Sequence, residues 1–474
     1  MESILSNSKI KKKCQIFTPP EVVITMLDAA KYQHNLAGKK VLEYSCGSGN
    51  ILAEIVRRYI NCGIEEGQDK AEITKGLERD IYGVEYDQSL ILTCRKRLDE
   101  IAQDLEISPI NWNLLQQDTL SWNTDMHFDF IIGNPPYVTY KDLDEEIRES
   151  IKNRYSSCIN GKFDYYYAFI EFGLNKLTSE GVLAQLIPNN IYKNVFAERL
   201  RSLLKQHVSE IIDYSPEKIF NDVLTSSSIL VYDNANTSDN VIYKNISEKR
   251  EIRIPRSSLQ GKWIFRNRDL ANINRFRFGD YFHASASVAT LLNKAFIFES
   301  EAAKKNNIEP GILFEAASPR SMRYKKEKAI IFPYYYNDGN LCRYAAADFI
   351  QRFPNAASHL SSFADDLKNR KSDKSVKWYE YGRTQALAHL YQEKLLLSTI
   401  VSEDYEIYKL DKLVIPYSGI YITAKTEGLT LDNAKELLTS AAFRDHIKAI
   451  GTNVNGTSMR ITCQDINNFF FEWE

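Results

Sequence analysis

The chain has 474 residues, with 60 Lys and Arg against 62 Asp and Glu and a formal net charge of −2. Apolar residues make up 44% and aromatics 12%, which excludes a disordered or fibrous chain and is enough for about two to four packed domains. No apolar run is long enough for a bilayer, no apolar stretch follows the basic start as a signal peptide would need, and seven Cys carry no C-x-x-C pair. The expectation is therefore a cytoplasmic protein with no membrane contact, no disulfide framework and no metal site. A near-neutral total argues against a nucleic-acid partner, but the charge is uneven. Residues 1–240 carry 26 basic and 35 acidic side chains, whereas 241–474 carry 34 and 27, an asymmetry that points to a polyanion-binding second part.

In chain order, Thr18-Pro19-Pro20-Glu21 predicts a helix start, with Thr18 capping, proline near the first position and Glu21 closing a capping box. Val22, Val23, Met26, Leu27 and Ala30 then recur on one helical face. Strands are expected at Val41–Tyr44, Ile81–Glu85, Asn113–Gln117, Phe128–Ile132, Val182–Ile187, Glu210–Tyr214 and Ser228–Tyr232, with helical patterns between most of them. Such alternation predicts a mostly parallel sheet covered on both faces. The turn-rich segment 233–240 predicts a domain boundary. Beyond it the readable pieces are strands at Ile252–Ile254, Lys328–Pro333, Leu395–Ile400 and Ser418–Thr423, and helices at Leu431–Ser440 and Ala441–Ala449.

Three constellations carry chemistry. Cys46-Gly47-Ser48-Gly49-Asn50 follows the first strand and opens a helix, so Gly47 and Gly49 permit a tight turn with close backbone approach to a ligand. Glu85, ending the second strand, suits ribose hydroxyls, and Asp118, after the third, suits an adenine amino group. The fourth strand runs into Asn134-Pro135-Pro136-Tyr137. The prolines fix the backbone and cannot donate, so the carbonyls of Asn134 and Pro135 are left as acceptors. The Asn134 side chain adds another, and Tyr137 offers a stacking face, which together suit a planar group bearing an NH₂.

Asn134-Pro135-Pro136-Tyr137 is similar to the catalytic motif of S-adenosylmethionine-dependent amino methyltransferases. Glu43 with Cys46–Asn50 resembles their methionine-binding motif, although Tyr44-Ser45 replace the commoner Pro-Ala. Gln15-Ile16-Phe17-Thr18-Pro19-Pro20 resembles the upstream cofactor motif of the gamma order, in which a C-terminal target recognition domain follows. The chain thus resembles the TaqI-like N6-adenine DNA methyltransferases of restriction–modification systems over 14–232, and more loosely over 378–470.

The resemblance implies a Rossmann-like, seven-stranded α/β methyltransferase sheet with helices on both faces over 1–236, and a mixed α+β target recognition domain over 237–474. It implies S-adenosyl-L-methionine as cofactor, with Thr18 and Pro20 lining its pocket. Glu43, Cys46, Gly47 and Gly49 would lie near the methionine part, Glu85 on the ribose and Asp118 on the adenine. Asn134, Pro135, Pro136 and Tyr137 would be catalytic, and Tyr137 and Phe220 would sandwich a flipped adenine of double-stranded DNA. A cognate restriction endonuclease acting separately is the implied companion. The rival readings are an RNA amino methyltransferase and a protein glutamine methyltransferase of the release-factor type. A combined nuclease–methyltransferase is disfavoured, since the motifs begin near Cys14 and leave no room for a nuclease before them. In the basic segment, Arg250, Arg253, Arg256, Lys262, Arg266, Arg268, Arg275 and Arg277 are candidate phosphate or base contacts.

Overall fold

A computed structural model describes residues 17–107, 109–215, 226–265, 276–425, 429–454 and 458–472. The chain forms two compact units, Met1–Arg268 and Asp269–Glu474.

The first unit is built on one nine-stranded sheet. Its strands are β1 (Val41–Glu43), β2 (Ile81–Glu85), β3 (Asn113–Gln116), β4 (Phe128–Gly133), β5 (Leu177–Pro188), β6 (Val208–Asp213), β7 (Ser227–Asp233), β8 (Asn240–Asn245) and β9 (Arg250–Pro255), in the spatial order β3-β2-β1-β4-β5-β7-β6-β8-β9. The pairs from β3 to β5 are parallel, and β7 runs antiparallel between β5 and β6. The first seven strands in this order are the expected doubly wound core.

Adjacent apolar residues explain why it is covered twice. Leu42, Ile131, Leu183, Ile211 and Leu230 join one buried cluster. Their neighbours Val41, Ile132, Ala184, Ile212 and Ile229 join another. A strand turns successive side chains to opposite faces, so these dipeptides need helices on both. Among those helices are α1 (Pro20–Ala29), α2 (Asn50–Glu65), α3 (Lys70–Asp80), α4 (Gln88–Asp104), α5 (Glu145–Arg154), α6 (Tyr166–Lys176) and α7 (Glu198–Leu204). The polar stretch before β2 is α3, started by a full capping box between Asp69 and Glu72.

The first unit runs well past the boundary expected at 236/237. The 233–240 segment is a turn inside the sheet: Asp233 accepts from the Ala235 and Asn236 backbones, and the Asn234 side chain donates to the Thr178 carbonyl. β8 then pairs parallel with β6, and β9 closes antiparallel on β8. The charge reading changes with it. Residues 1–268 hold 34 basic and 37 acidic side chains, and 269–474 hold 26 and 25, so the expected contrast nearly vanishes. Much of the basic excess of 241–268 is engaged locally. Lys244 pairs with Glu210 at 2.6 Å and Arg250 with Glu248 at 3.2 Å, while Arg256 donates to the Ser238 and Lys205 carbonyls.

The second unit is mixed, with two four-stranded sheets and smaller two- and three-stranded ones, each of the larger sheets feeding its own apolar cluster. The readable pieces appear as strands Lys394–Leu397 and Ile420–Ala424 and as helices Leu431–Thr439 and Ala441–Ile450. Among the described residues, no helix is long and apolar enough to cross a membrane.

Candidate active site

The carboxyl ends of β1, β2, β3 and β4 open onto a cavity of about 330 Å³. This is where ligands sit in open α/β sheets, because the strand order reverses beside β1 and the flanking helices diverge. Thr18, Glu43, Cys46, Gly47, Glu85, Asp118, Asn134 and Pro136 all line it.

The β1–α2 turn is held from both sides. Gly47 and Gly49 have φ of +52° and +82°, which L side chains rarely adopt. A Cβ at Gly49 would stand 2.5 Å from Cys94 Sγ on α4, so this glycine serves helix packing and is not part of the cavity wall. The Gly47 N–H donates to Glu85 Oε2 at 3.0 Å, and the Asp87 N–H donates to Oε1 at 2.9 Å, fixing the Glu85 carboxylate at the rim. Burial raises the Glu85 carboxyl above its usual range. Glu43, almost fully buried, accepts from the Leu52 N–H in the first turn of α2 at 3.0 Å. Burial, and then the nearby Cys94 thiol, push its carboxyl well up. Asp118 caps the short turn after β3, accepting from the Leu120 N–H and the Ser121 hydroxyl.

Asn134 leaves β4 with its side-chain Nδ2 donating to Thr18 Oγ1 at 3.2 Å. Its Oδ1 is buried and has no hydrogen-bond partner among the described residues. The Asn134 carbonyl accepts from Ser45 Oγ at 3.1 Å, so it is only partly available, while the Pro135 carbonyl accepts nothing from the described residues. Tyr137 lies outside the cavity wall. Its hydroxyl donates to the Leu186 carbonyl on β5 at 2.9 Å, and its ring meets Tyr166 edge-on at 6.1 Å. Tyr166 in turn donates to Asn190 Oδ1 at 2.7 Å, and Asn190 Nδ2 donates to Asp164 Oδ2 at 3.3 Å. Burial pushes the Asp164 carboxyl up to about 6.

Two sequence expectations are corrected here. Thr18 does not cap α1: the cap position is Pro19, with no side-chain bond, because the Thr18 hydroxyl faces Asn134 instead. Pro20 is exposed as the first residue of α1, and Phe17 takes its expected place in the wall. Phe220, Arg266, Arg268 and Arg275 lie outside the described residues. Sequence reasoning also missed the apolar side of the cavity, formed by Ile147, Ile151 and Tyr155 with Phe169. Ile147 and Ile151, four apart on α5, were the only signal for it in a mostly charged helix.

The wall fits the cofactor the sequence implies. Ser48, Gln117 and Asn134 line the cavity, and Ser48 Oγ, Gln117 Nε2 and Asn134 Oδ1 are buried with no hydrogen-bond partner among the described residues. Buried polar atoms without partners are costly, so three in one cavity mark positions for a ligand's own polar groups. Glu43, Glu85 and Asp118 add carboxyl oxygens to the wall, which suit the amino and hydroxyl donors of a ligand.

Residues 44–220 match the Eco57I restriction-modification methylase family. The Type II methyltransferase M.BstVI of Geobacillus stearothermophilus is 24% identical over 95% of this chain and 88% of its own length. This chain is similar in sequence to Type II restriction–modification methyltransferases. M.PaeR7I of Pseudomonas aeruginosa is 23% identical over 98% of this chain and 86% of its own. In fold, the chain is similar to the Type IIL restriction-modification enzyme MmeI, solved in complex with DNA, with a TM-score of 0.59 and 13% identity over 97% of this chain and 66% of that one.

Proposed function

We propose that this chain is a site-specific DNA methyltransferase that transfers a methyl group to the exocyclic N6 of an adenine flipped out of duplex DNA. The observation that carries the reading is Asn134 in the cavity wall, whose Oδ1 is buried without a hydrogen-bond partner among the described residues. The likeness to Type II methyltransferases supports a DNA substrate; a separately acting endonuclease is the companion proposed with it.

S-adenosyl-L-methionine supplies an electrophilic methyl on a sulfonium. Glu85 would take the ribose hydroxyls and Asp118 the adenine amino group, while the Glu43, Cys46 and Gly47 end would receive the methionine part. The target adenine must leave the duplex, which costs a few kcal/mol. Tyr137, pinned through Leu186, offers a fixed ring against which the base stacks, offsetting on the order of 1–3 kcal/mol.

The adenine N6 is conjugated into its ring and is a poor nucleophile. Its two hydrogens donate to Asn134 Oδ1 and the Pro135 carbonyl, which favours a more tetrahedral nitrogen. These acceptors then stabilise the positive charge that develops on attack. They are in place before reaction and need no reorganisation. No strong base is required for the attack itself, in keeping with a motif made of amide oxygens. The N6–methyl bond would form as the methyl–sulfur bond breaks to leave a neutral thioether, and the extra proton on N6 would then pass to solvent.

The reading is tested by supplying purified protein with methyl-labelled S-adenosylmethionine and three acceptors: duplex DNA, tRNA and a release factor. Label is expected in duplex DNA, as N6-methyladenine. Label confined to RNA or to the release factor would replace the reading with one of its rivals.

A further inference from the structure

The second unit carries an isolated two-stranded ribbon, Tyr334–Asn337 paired antiparallel with Asn340–Arg343. Its turn is Asp338-Gly339, with φ of +48° and +77°, the two-residue form whose twist matches a hairpin. The base of the ribbon is locked. Tyr334 is buried and its hydroxyl accepts from the Tyr381 N–H at 3.1 Å. Arg343 donates from Nε to Glu380 Oε1 at 2.9 Å and from its guanidinium to the Ser375 carbonyl at 2.7 Å. Glu380 is fully buried and also holds the Lys377 N–H. The Tyr336 ring is stacked between Phe332 and Tyr391, at 5.9 and 4.2 Å.

The tip contrasts with this base. Asn337, Asp338, Gly339 and Asn340 are all exposed, and the side chains of Asn337 and Asn340 are bonded to no described residue. The two asparagines face each other across the ribbon in direct register, so they share one face with Tyr335 and Cys342. The loop that holds Arg343 through Ser375 also carries Lys371 and Lys374. Both are exposed, and neither has an ion-pair or hydrogen-bond partner among the described residues. A braced ribbon with amide side chains at its end and free cations along its flank is matched to a polyanion with polar edges in a groove. A two-stranded ribbon fits the major groove, asparagine pairs there with adenine N6 and N7, and lysines hold phosphates without reading sequence.

We propose that the ribbon Tyr334–Arg343 is the base-reading element of this chain, entering the major groove of duplex DNA with Asn337 and Asn340 while Lys371 and Lys374 hold the flanking phosphates. This rests on the DNA-methylation reading above. Asp338, between the asparagines, is an acceptor for a cytosine amino group. The braced base matters because a reader must hold its geometry when the phosphate contacts form.

The test uses the full chain and three variants: the doubles Asn337→Ala/Asn340→Ala and Lys371→Gln/Lys374→Gln, and the single Asn340→Asp. Each is expressed in cells free of other DNA methylation, the host DNA is sequenced for methylated bases, and duplex binding is measured over a range of salt. The asparagine double variant should relax one or two positions of the site, losing about five- to hundredfold discrimination at each. Asn340→Asp should change the preferred base at a position instead of merely weakening it. The lysine double variant should weaken binding equally on all duplexes and flatten the salt dependence by about two counterions. Variants that keep the wild-type site, discrimination and salt slope would overturn the proposal while leaving the methylation reading intact. A wild type that methylates no duplex DNA would overturn both. Thermal unfolding of each variant, read by circular dichroism, serves as the folding control, and the tip residues, being exposed, leave the core unchanged.

Discussion

Replacing Asn134 by alanine separates binding from chemistry, and the structure sets both magnitudes. Asn134 Oδ1 has no hydrogen-bond partner among the described residues, so its loss breaks no bond seen there. Nδ2 gives up one contact, to Thr18 Oγ1 at 3.2 Å, worth about 0.5–1.5 kcal/mol. For a unit of this size that is a melting shift of a few degrees, on the order of 2–4 °C per kcal/mol. The chemical step loses a preorganised acceptor at the nitrogen where charge develops, which costs about a hundred- to a thousandfold in rate. Glu43, Glu85 and Asp118 are untouched, so affinity for S-adenosylmethionine should stay within about threefold. The assay is single-turnover methyl transfer to a cognate duplex at saturating cofactor, beside calorimetric titration of the cofactor. Thr18→Val is the companion variant: it keeps the acceptor but frees the amide to rotate, and should cost about tenfold. An Asn134→Ala enzyme with a wild-type single-turnover rate would refute the reasoning, as would a variant that loses cofactor affinity in step with rate.

Tyr137→Ala should bind duplex but extrude the base poorly, read as a smaller 2-aminopurine fluorescence rise than wild type. Tyr137→Phe, which loses only the bond to Leu186, should retain most of it. Glu85→Gln should weaken S-adenosylmethionine binding about tenfold in equilibrium dialysis, with little change in the single-turnover rate once cofactor is saturating, if the carboxylate acts on the ribose as proposed. Gly49→Ala should destabilise the first unit by roughly 1–3 kcal/mol in denaturant unfolding, since its Cβ would meet Cys94 Sγ at 2.5 Å and its φ is +82°. Asp164 makes a pH prediction. Its folded pKa of about 6 exceeds the ordinary 3.8, so the folded state holds the proton longer than the unfolded chain. Its stability contribution is present below pH 3.8 and is lost as pH rises through 6. Asp164→Asn should therefore melt higher than wild type at pH 7.5, with the gain shrinking steadily below pH 6. A constant difference across that range would exclude Asp164 as its source.

The catalytic core was legible because its signals are local. Hydrophobic runs set the strands, and β2 at Ile81–Glu85 coincides with its expected ends. The site residues sat one or two positions beyond those runs, where a parallel sheet presents them. What failed depends on distant partners or on ambiguous turns. Asn, Asp and Ser in a row look the same in a linker and in a turn inside a sheet, so 233–240 was mistaken for a boundary, and the charge contrast followed that error. Thr18 has the composition of a cap, but its hydroxyl partners Asn134, more than a hundred residues away. Gly49 serves Cys94 on α4, a packing contact with no local trace. The chain from Asp164 through Asn190 and Tyr166 to Tyr137 joins three separate segments that only the fold brings together. The ribbon at 334–343 was also unread: Lys328–Pro333 was expected as one strand and ended at Ile331, with the ribbon beginning three residues later.

The most direct test of the account is to express the chain in cells lacking endogenous DNA methylation and to read every modified base in the host genome. The account predicts N6-methyladenine at nearly every copy of one short sequence and nowhere else, strongly reduced by Asn134→Ala. N4-methylcytosine in its place, or a genome without methylation from a folded, cofactor-binding protein, would contradict it.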